Sequence, residues 1–235
     1  MIESPSPNFD TRRADISMVV IHYTGMKSAA AALERLRDPE AKVSAHYLIA
    51  EDGTPVRLVA EESRAWHAGR AYWRGIRDVN SASIGIELAN PGHDHGYVDF
   101  PEPQMAALEG LLRDILQRHD IDPRNVVGHS DIAPDRKIDP GELFPWDRFA
   151  ALGLAETKPE FDYDPLWIDE GTLVAMQRFG YEIRLPKETV SAFQRRWRPG
   201  KFDGVIDAET RKILLALLKR HPPEGFILGT HLPRT

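Results

Sequence analysis

The chain of 235 residues contains no cysteine. It therefore has no disulfide, no thiolate metal ligand and no cysteine nucleophile, although this absence alone does not name a cellular compartment. No apolar run approaches the roughly 20 residues that cross a bilayer, so we expect no membrane span. The sequence also lacks an excess of positive charge, because 30 Lys and Arg stand against 36 Asp and Glu. This balance gives no reason to expect binding to nucleic acid.

Short apolar segments predict a β-sheet with helices packed against it. Residues 18–21 are continuously apolar, as in a strand buried on both faces. Further strands are predicted over residues 46–50, 55–60, 83–88 and 125–129, with a hairpin turn at 51–54. Helical spacing of apolar residues predicts helices over 28–37 and within 100–121. The fold class is therefore α/β, with a mixed central β-sheet flanked by helices.

The composition of the chain changes after residue 155. Residues 156–165 are polar and contain two prolines, which is typical of a linker. Three short helical patterns follow, and Asp207 is a suitable N-cap for the third. We predict a catalytic domain over 1–155, a linker over 156–166, a small three-helix domain over 167–222 and a tail over 223–235.

Two histidines stand at the carboxyl ends of predicted strands, where ligands gather in α/β proteins. His22 follows the first strand and His129 the last, and Asp139 lies in the charged, proline-rich loop after His129. Two imidazoles and a carboxylate are the ligand set of a catalytic zinc ion. The same set also binds non-haem iron, so ligand type alone leaves both metals open. A structural role for each histidine is the remaining alternative.

Glu87 and Lys137 are the candidate catalytic side chains. In the segment SIGIEL, Glu87 lies on the face opposite to the three apolar residues, so it can face a metal and accept a proton from water. Lys137 precedes Asp139 by two residues and, in an extended loop, points the same way. Its ammonium is suited to stabilising an oxyanion. The alternatives are a solvent-facing glutamate and a solvated loop lysine.

Five segments together resemble the zinc-dependent N-acetylmuramoyl-L-alanine amidases of type 2, which include the peptidoglycan recognition proteins. The segments are VVIHYT (19–24), AWHAG (65–69), SIGIEL (83–88), VVGHSDIAP (126–134) and RKIDPG (136–141). The resemblance implies one zinc ion on His22, His129 and Asp139, with Glu87 and Lys137 as the catalytic pair. It implies hydrolysis of the amide between N-acetylmuramic acid, or its 1,6-anhydro form, and L-alanine. A muropeptide-binding protein of the same fold without activity is the alternative.

The C-terminal segment 190–218 resembles a peptidoglycan-binding domain of the three-helix type, through its FQ pair, its DG turn and its D-x-x-T helix start. We expect a monomer whose partner is peptidoglycan or a muropeptide. Residues 1–17 are polar and unlike the apolar core of a signal peptide, which favours the cytoplasm. The resemblance to a wall-binding domain favours the periplasm or cell envelope instead.

Substrate contacts are predicted from an aromatic and basic stretch near the second motif. Trp66, His67 and Trp73 are suited to stacking on or hydrogen bonding with sugar and peptide, and Arg70 to pairing with stem-peptide carboxylates. Asn80 is a further candidate. A packed aromatic corner with a solvated charged face is the alternative for this group.

Overall fold

The computed structural model describes residues 1–161 and 163–221. The strands within this part of the chain are β1 Ile2–Glu3, β2 Phe9–Thr11, β3 Met18–Tyr23, β4 Tyr47–Ile49, β5 Pro55–Arg57, β6 Ser63–Ala65, β7 Ser83–Leu88 and β8 Val126–Gly128. The helices are α1 Ala29–Arg37, α2 Val79–Ala82, α3 Gly92–His95, α4 Glu102–His119, α5 His129–Ile132, α6 Trp146–Ala151, α7 Asp169–Phe179, α8 Pro186–Trp197 and α9 Ala208–Arg220. Within the described residues, no helix has the length and apolar character to cross a membrane.

Six strands form one sheet in the order β1-β5-β4-β7-β3-β8, while β2 pairs antiparallel with β6. β4, β7, β3 and β8 run parallel, and β5 runs antiparallel to β4. The predicted mixed sheet is therefore confirmed, as is the hairpin, whose turn is closed by a hydrogen bond from Gly53 N to Ala50 O (3.0 Å). Gly53 has φ +85°, a conformation that glycine adopts without strain.

One face of the sheet is covered by α4, the long helix predicted within 100–121. Val19 and Ile21 of β3 pack with Leu108 and Leu112 of this helix in one buried cluster. All four side chains are fully buried, and burying an aliphatic side chain contributes about 1.5–3 kcal/mol. Because successive strand residues point to opposite faces, Met18, Val20 and His22 are left to the other face.

The other face of the sheet is covered in part by the C-terminal helices. Met18 and Val20 share a buried cluster with Met176 of α7, Phe193 of α8 and Leu214 of α9. The three predicted helices are confirmed, but a separate three-helix domain is not, because these helices close the same core as the catalytic sheet. The domain boundaries stay predictions, and the predicted tail, 223–235, lies outside the described residues.

The residues that resemble a peptidoglycan-binding domain hold the C-terminal helices together. Gln194 Nε2 donates to Val205 O (2.8 Å) and Thr210 Oγ1 (2.9 Å), and its Oε1 accepts from Gly204 N (2.9 Å). Asp207 accepts from Thr210 N (3.0 Å), which confirms it as the N-cap of α9. Residues of the FQ, DG and D-x-x-T motifs therefore form hydrogen bonds that join the C-terminal helices and the turn between them.

A buried hydrogen bond joins the C-terminal helices to the turn that carries His129. Tyr181, just after α7, is 1% exposed, and its hydroxyl donates to Asp131 Oδ1 (2.7 Å). Asp131 Oδ2 accepts from Gly128 N (2.8 Å), at the start of α5. The Asp131 carboxylate thus accepts one hydrogen bond from the backbone at the start of α5 and one from a side chain next to the C-terminal helices.

Tyr181→Phe removes the hydroxyl and leaves Asp131 Oδ1 without this partner in a buried position. We expect the free energy of unfolding to fall by about 1–3 kcal/mol in urea denaturation, because a buried acceptor keeps its desolvation penalty when its donor is lost. Tyr163→Phe is the control, since Tyr163 is 62% exposed and its variant should stay within about 0.5 kcal/mol of the wild type. Equal losses in the two variants would contradict the role of the buried bond.

His46, directly before β4, is a fully buried imidazole that does not belong to the predicted set of metal ligands. Its Nδ1 accepts from Gly85 N (2.9 Å), and its Nε2 lies 3.1 Å from Ser63 O and 2.9 Å from Arg12 Nη2. Burial lowers the pKa of His46 to about 3, despite the hydrogen bond with Ser63. The ring is therefore neutral in the folded chain and becomes protonated near pH 6.5 on unfolding.

Below pH 6.5 the unfolded chain takes up a proton at His46 that the folded chain does not, so stability is lost as pH falls. Between pH 7 and pH 5 this residue should account for about 2 kcal/mol of the decrease in the free energy of unfolding. In His46→Asn, an acceptor remains beside Gly85 N but the titrating ring is gone. We expect its decrease, measured by urea denaturation in a chelator, to be smaller by that amount; an equal decrease would refute this assignment.

Candidate metal centre and active site

Strand register places His22 and Glu87 side by side. In the parallel pair of β3 and β7, His22 is the direct partner of Glu87, and paired residues point to the same face. His129 follows β8, the other neighbour of β3, and begins α5. Asp139 lies ten residues further on, where its carbonyl accepts from Ser130 N (2.8 Å). Three adjacent strand ends therefore deliver the predicted side chains to one edge of the sheet.

The three predicted metal ligands meet in a small triangle of donor atoms. His22 Nδ1 lies 2.9 Å from His129 Nδ1, and Asp139 Oδ2 lies 3.1 Å from each of them. A tetrahedral ion with bonds of about 2.0–2.1 Å separates its ligand atoms by roughly 3.3 Å. All three residues are buried, so the described residues supply a preformed group of donors that fits a small divalent ion.

The protonation states also suit metal binding. Burial lowers the pKa of His22 to about 4, and the nearby His129 adds to this shift. Burial acts to raise the pKa of Asp139, but the two imidazoles outweigh it and hold that pKa well below its usual range. A neutral imidazole and an ionised carboxylate are the forms that bind a metal.

The ring of His129 is oriented by a backbone carbonyl. Its Nε2 lies 3.2 Å from Ala68 O, and a carbonyl only accepts, so this nitrogen carries the proton in the neutral ring. The lone pair is then left on Nδ1, which faces His22 and Asp139. Arg136 donates to the same carbonyl, which helps to fix the loop before Asp139.

Glu87 is half-buried next to the donor triangle, with one carboxylate oxygen shielded from solvent. Its Oε2 has no hydrogen-bond partner among the described residues. Burial raises the pKa of Glu87 well above its usual value, and the nearby Asp139 raises it further, while Lys137 opposes the shift. A carboxyl group tuned upward in this way is suited to accepting and returning a proton near neutral pH.

A cavity of about 500 Å³ opens over this site. It is lined by His22, Glu87, His129, Lys137 and Asp139, so all five predicted metal-binding and catalytic residues share one cavity. Two of the predicted substrate contacts, Trp66 and His67, also line it. Trp66 is held by a hydrogen bond from its Nε1 to Asp10 Oδ2 (2.8 Å).

Three other predicted substrate contacts lie away from the cavity. Trp73 is 2% exposed and packs edge to face on Tyr181 in the core beneath the C-terminal helices. Asn80 is buried, and its Oδ1 accepts from the N–H groups of His67 (3.1 Å) and Ala68 (2.7 Å). Arg70 pairs with Asp135 outside the cavity. The structure therefore brings none of these three residues to the cavity, because packing holds Trp73, backbone N–H groups hold Asn80 and an ion pair holds Arg70. Their role as substrate contacts stays a prediction.

Several residues that line the cavity carry no sequence signal for this position. Arg35 on α1 and Arg136 add positive charge, while Tyr23 and Met26 add apolar and aromatic surface. Tyr23 directly follows His22, and since neighbouring strand residues point to opposite faces, the sequence predicts that Tyr23 faces away from His22. Arg35 lies on α1, and the apolar residues that predict this helix do not show where its polar side chains point. No local sequence signal places either residue at this site.

Comparison with known proteins gives a family for this arrangement. Residues 12–142 match the family described as N-acetylmuramoyl-L-alanine amidase. The chain is 36% identical to the N-acetylmuramoyl-L-alanine amidase AmiD of Escherichia coli strain K12, over 94% of this chain and 91% of AmiD. A structure of AmiD with the substrate anhydro-N-acetylmuramic acid-L-Ala-D-gamma-Glu-L-Lys has a TM-score of 0.78 at 34% identity, covering 91% of this chain and 94% of that one.

Two further relatives differ in how much of this chain they match. The 1,6-anhydro-N-acetylmuramyl-L-alanine amidase AmpD of Escherichia coli strain K12 is 39% identical over 65% of this chain and 92% of its own length. The structure of AmpDH3 from Pseudomonas aeruginosa, in complex with anhydromuramic pentapeptide, has a TM-score of 0.79 at 34% identity and covers 88% of this chain and 92% of that one. By the family match and the near full-length similarity to AmiD, this chain belongs to the N-acetylmuramoyl-L-alanine amidase family.

Proposed function

We propose that this chain is a zinc-dependent enzyme that hydrolyses the amide between N-acetylmuramic acid, chiefly in its 1,6-anhydro form, and L-alanine. The observation that carries the proposal is the triangle of donor atoms from His22, His129 and Asp139 in a cavity that Glu87 also lines. Soluble anhydro-muropeptides are the favoured substrate class, because AmiD and AmpDH3 have both been solved with such compounds bound.

One zinc ion per chain would be held by Nδ1 of His22, Nδ1 of His129 and Oδ2 of Asp139. Three protein ligands are the number that catalytic zinc sites use. When bound, zinc supplies Lewis acidity, which polarises the scissile carbonyl and makes water more acidic. Amide hydrolysis involves no oxidation or reduction, so the redox chemistry for which enzymes use non-haem iron is not needed.

Glu87 acts as the general base and then as the general acid. Its unsatisfied Oε2 accepts a proton from the attacking water and returns it to the leaving nitrogen of L-alanine. The raised pKa of Glu87 allows the same carboxyl group to accept a proton and to release it again near neutral pH. Its position on β7, fixed by the register with His22, keeps the proton acceptor beside the reacting amide.

Lys137 stabilises the negative charge that develops on the carbonyl oxygen. It lines the same cavity as Asp139, and its positive charge acts on both His22 and Glu87. A fixed positive charge in a partly desolvated cavity is worth more than the same charge in water. Arg35 and Arg136, on the same lining, are suited to the carboxylates of the stem peptide.

A muropeptide-binding protein without activity is the competing function for the same fold. A binding protein needs the cavity but not the complete set of ligands and a proton acceptor. Here His22, His129, Asp139, Glu87 and Lys137 are all present and line one cavity. That completeness supports an enzyme.

The C-terminal helices are proposed to bind peptidoglycan. The support is the resemblance of residues 190–218 to a three-helix peptidoglycan-binding domain, whose typical residues form the hydrogen bonds around Gln194. The likeness to AmiD, which extends over 94% of this chain, is consistent with a unit retained in both proteins. A monomeric enzyme with two sites for wall fragments is the arrangement that we propose.

Removal of the metal tests the central proposal. Dialysis against a chelator should abolish release of the peptide from anhydro-N-acetylmuramyl-L-Ala-D-gamma-Glu-L-Lys, measured by liquid chromatography, and one equivalent of zinc should restore it. Restoration by ferrous iron alone would favour an iron enzyme. Tight binding of this compound by the zinc-loaded chain without any turnover would favour the binding protein.

Asp139→Asn tests the ligand set directly. Removing a hydrogen-bond partner of a metal ligand typically weakens metal binding by roughly 10–100-fold. Asp139→Asn removes a charged ligand itself, so we expect a larger loss of zinc affinity. Zinc affinity is measured by competition with a chromophoric chelator. Asp135→Asn, on the same loop but paired with Arg70, is the matched control and should keep its zinc. Equal zinc affinity in the two variants would remove Asp139 from the ligand set.

Glu87→Gln separates proton transfer from metal binding. The amide keeps the size of the side chain but cannot accept the proton, so kcat should fall by about 100-fold or more while zinc content stays unchanged. Glu62→Gln, at an exposed position, is the control and should retain wild-type turnover. Wild-type turnover in Glu87→Gln would remove this residue from the mechanism.

A further inference from the structure

A third imidazole lies directly behind the metal ligand His22. His67 Nδ1 is 3.0 Å from His22 Nε2, and the two rings meet edge to face with centroids 5.1 Å apart. On its other side, His67 Nε2 is 3.2 Å from Ser83 Oγ. The hydroxyl of Ser83 in turn donates to Val79 O (2.5 Å). These four groups form one continuous chain of hydrogen bonds.

All the hydrogen bonds in this series run in one direction, from His22 to Val79. Ser83 has one hydroxyl proton, which goes to a carbonyl, so its oxygen must accept from His67 Nε2–H. The neutral ring of His67 then has its lone pair on Nδ1 and accepts from His22 Nε2–H. His22 is left with a lone pair on Nδ1, the atom that faces His129 and Asp139.

The same short segment also orients the second histidine ligand. His129 Nε2 donates to the carbonyl of Ala68, the residue after His67. The backbone of both residues is fixed by Asn80, whose Oδ1 accepts from the N–H of His67 and of Ala68. The segment AWHAG therefore directs the lone pairs of both imidazole ligands, one through a side chain and one through a carbonyl.

The sheet leaves room for the ring of His67 at one position. A Cβ built on Gly85 of β7 would lie 2.3 Å from His67 Cγ, so any larger residue there would displace the ring. Gly85 separates Ser83 from Glu87 on the same face of the strand. The glycine in SIGIEL is thus explained by the imidazole that covers it.

We propose that His67 is a positioning residue for the metal site, which fixes the tautomer and orientation of His22, and is not a substrate contact. The proposal rests on the metal site of the proposed function. It follows from the direction of the hydrogen bonds and from the close fit against Gly85. Hydrogen-bond partners of metal-binding histidines commonly tune affinity in this way, but here the partner is another imidazole with its own fixed acceptor.

Zinc affinity of three variants tests the proposal by chelator competition. His67→Leu removes the acceptor for His22 Nε2–H and should weaken zinc binding about 10–100-fold. His67→Asn keeps an acceptor near the position of Nδ1 and should lose less. Gly85→Ala displaces the ring without altering any donor and should also weaken binding. His119→Leu, which removes an imidazole bonded to Glu61 and outside the cavity lining, is the control and should bind zinc as the wild type does.

Steady-state kinetics at saturating zinc distinguish positioning from substrate binding. A positioning residue should lower kcat in His67→Leu with little change in KM. Wild-type zinc affinity together with a raised KM in that variant would make His67 a substrate contact and overturn the proposal.

The tautomers can be read in the metal-free wild type by ¹H–¹⁵N spectra of the imidazole rings, which need no variant. We expect His22 and His67 both to carry the proton on Nε2. A proton on Nδ1 of His67 would overturn the proposal even if zinc binds. Failure of the wild type to bind zinc would instead refute the proposed function, while the tautomer measurement would still decide the role of His67.

Discussion

The pairing of β3 with β7 is the constraint on which the site depends. In this register His22 lies beside Glu87, and a shift by one residue would turn one of the two side chains into the α4 core. The apolar residues on the other face, such as Ile21 and Ile86, oppose such a shift because they would lose their burial. The hydrophobic core therefore fixes the distance between the proposed metal ligand His22 and the proposed general base Glu87.

A cluster of buried imidazoles is tolerated because each ring has a partner of opposite role. Three rings, His22, His46 and His67, lie close together, and protonation of one would disfavour protonation of the others. His46 accepts from the backbone N–H of Gly85, and His67 donates to Ser83 Oγ, whose own proton goes to Val79 O. The polar network thus specifies single tautomers, whereas an apolar core would specify only shape.

Much of the fold and site could be predicted from the sequence, because buried strands and α4 show clear periodicity and because parallel strand ends meet at one edge. The strands β1, β2 and β6 were missed, since two- and three-residue edge strands have no periodicity. Trp73 and Asn80 lie away from the cavity for a reason that the sequence does not show. An aromatic or amide side chain looks the same in a sequence whether it faces a ligand or packs against a helix, and only the position of α7 and of residues 66–68 decides between these.

The burial of Tyr181 against Asp131 changes what the C-terminal helices can do. A module on a flexible linker would only raise the local concentration of enzyme at its ligand. Here the helices close the core beneath β3 and bond to the turn that carries His129, and Arg196 of α8 stacks on Trp146. Any wall fragment that they bind is therefore held in a set orientation to the cavity. Loosening this interface would reach the proposed metal site through α5, so the proposed wall attachment and catalysis would be coupled in one folded unit.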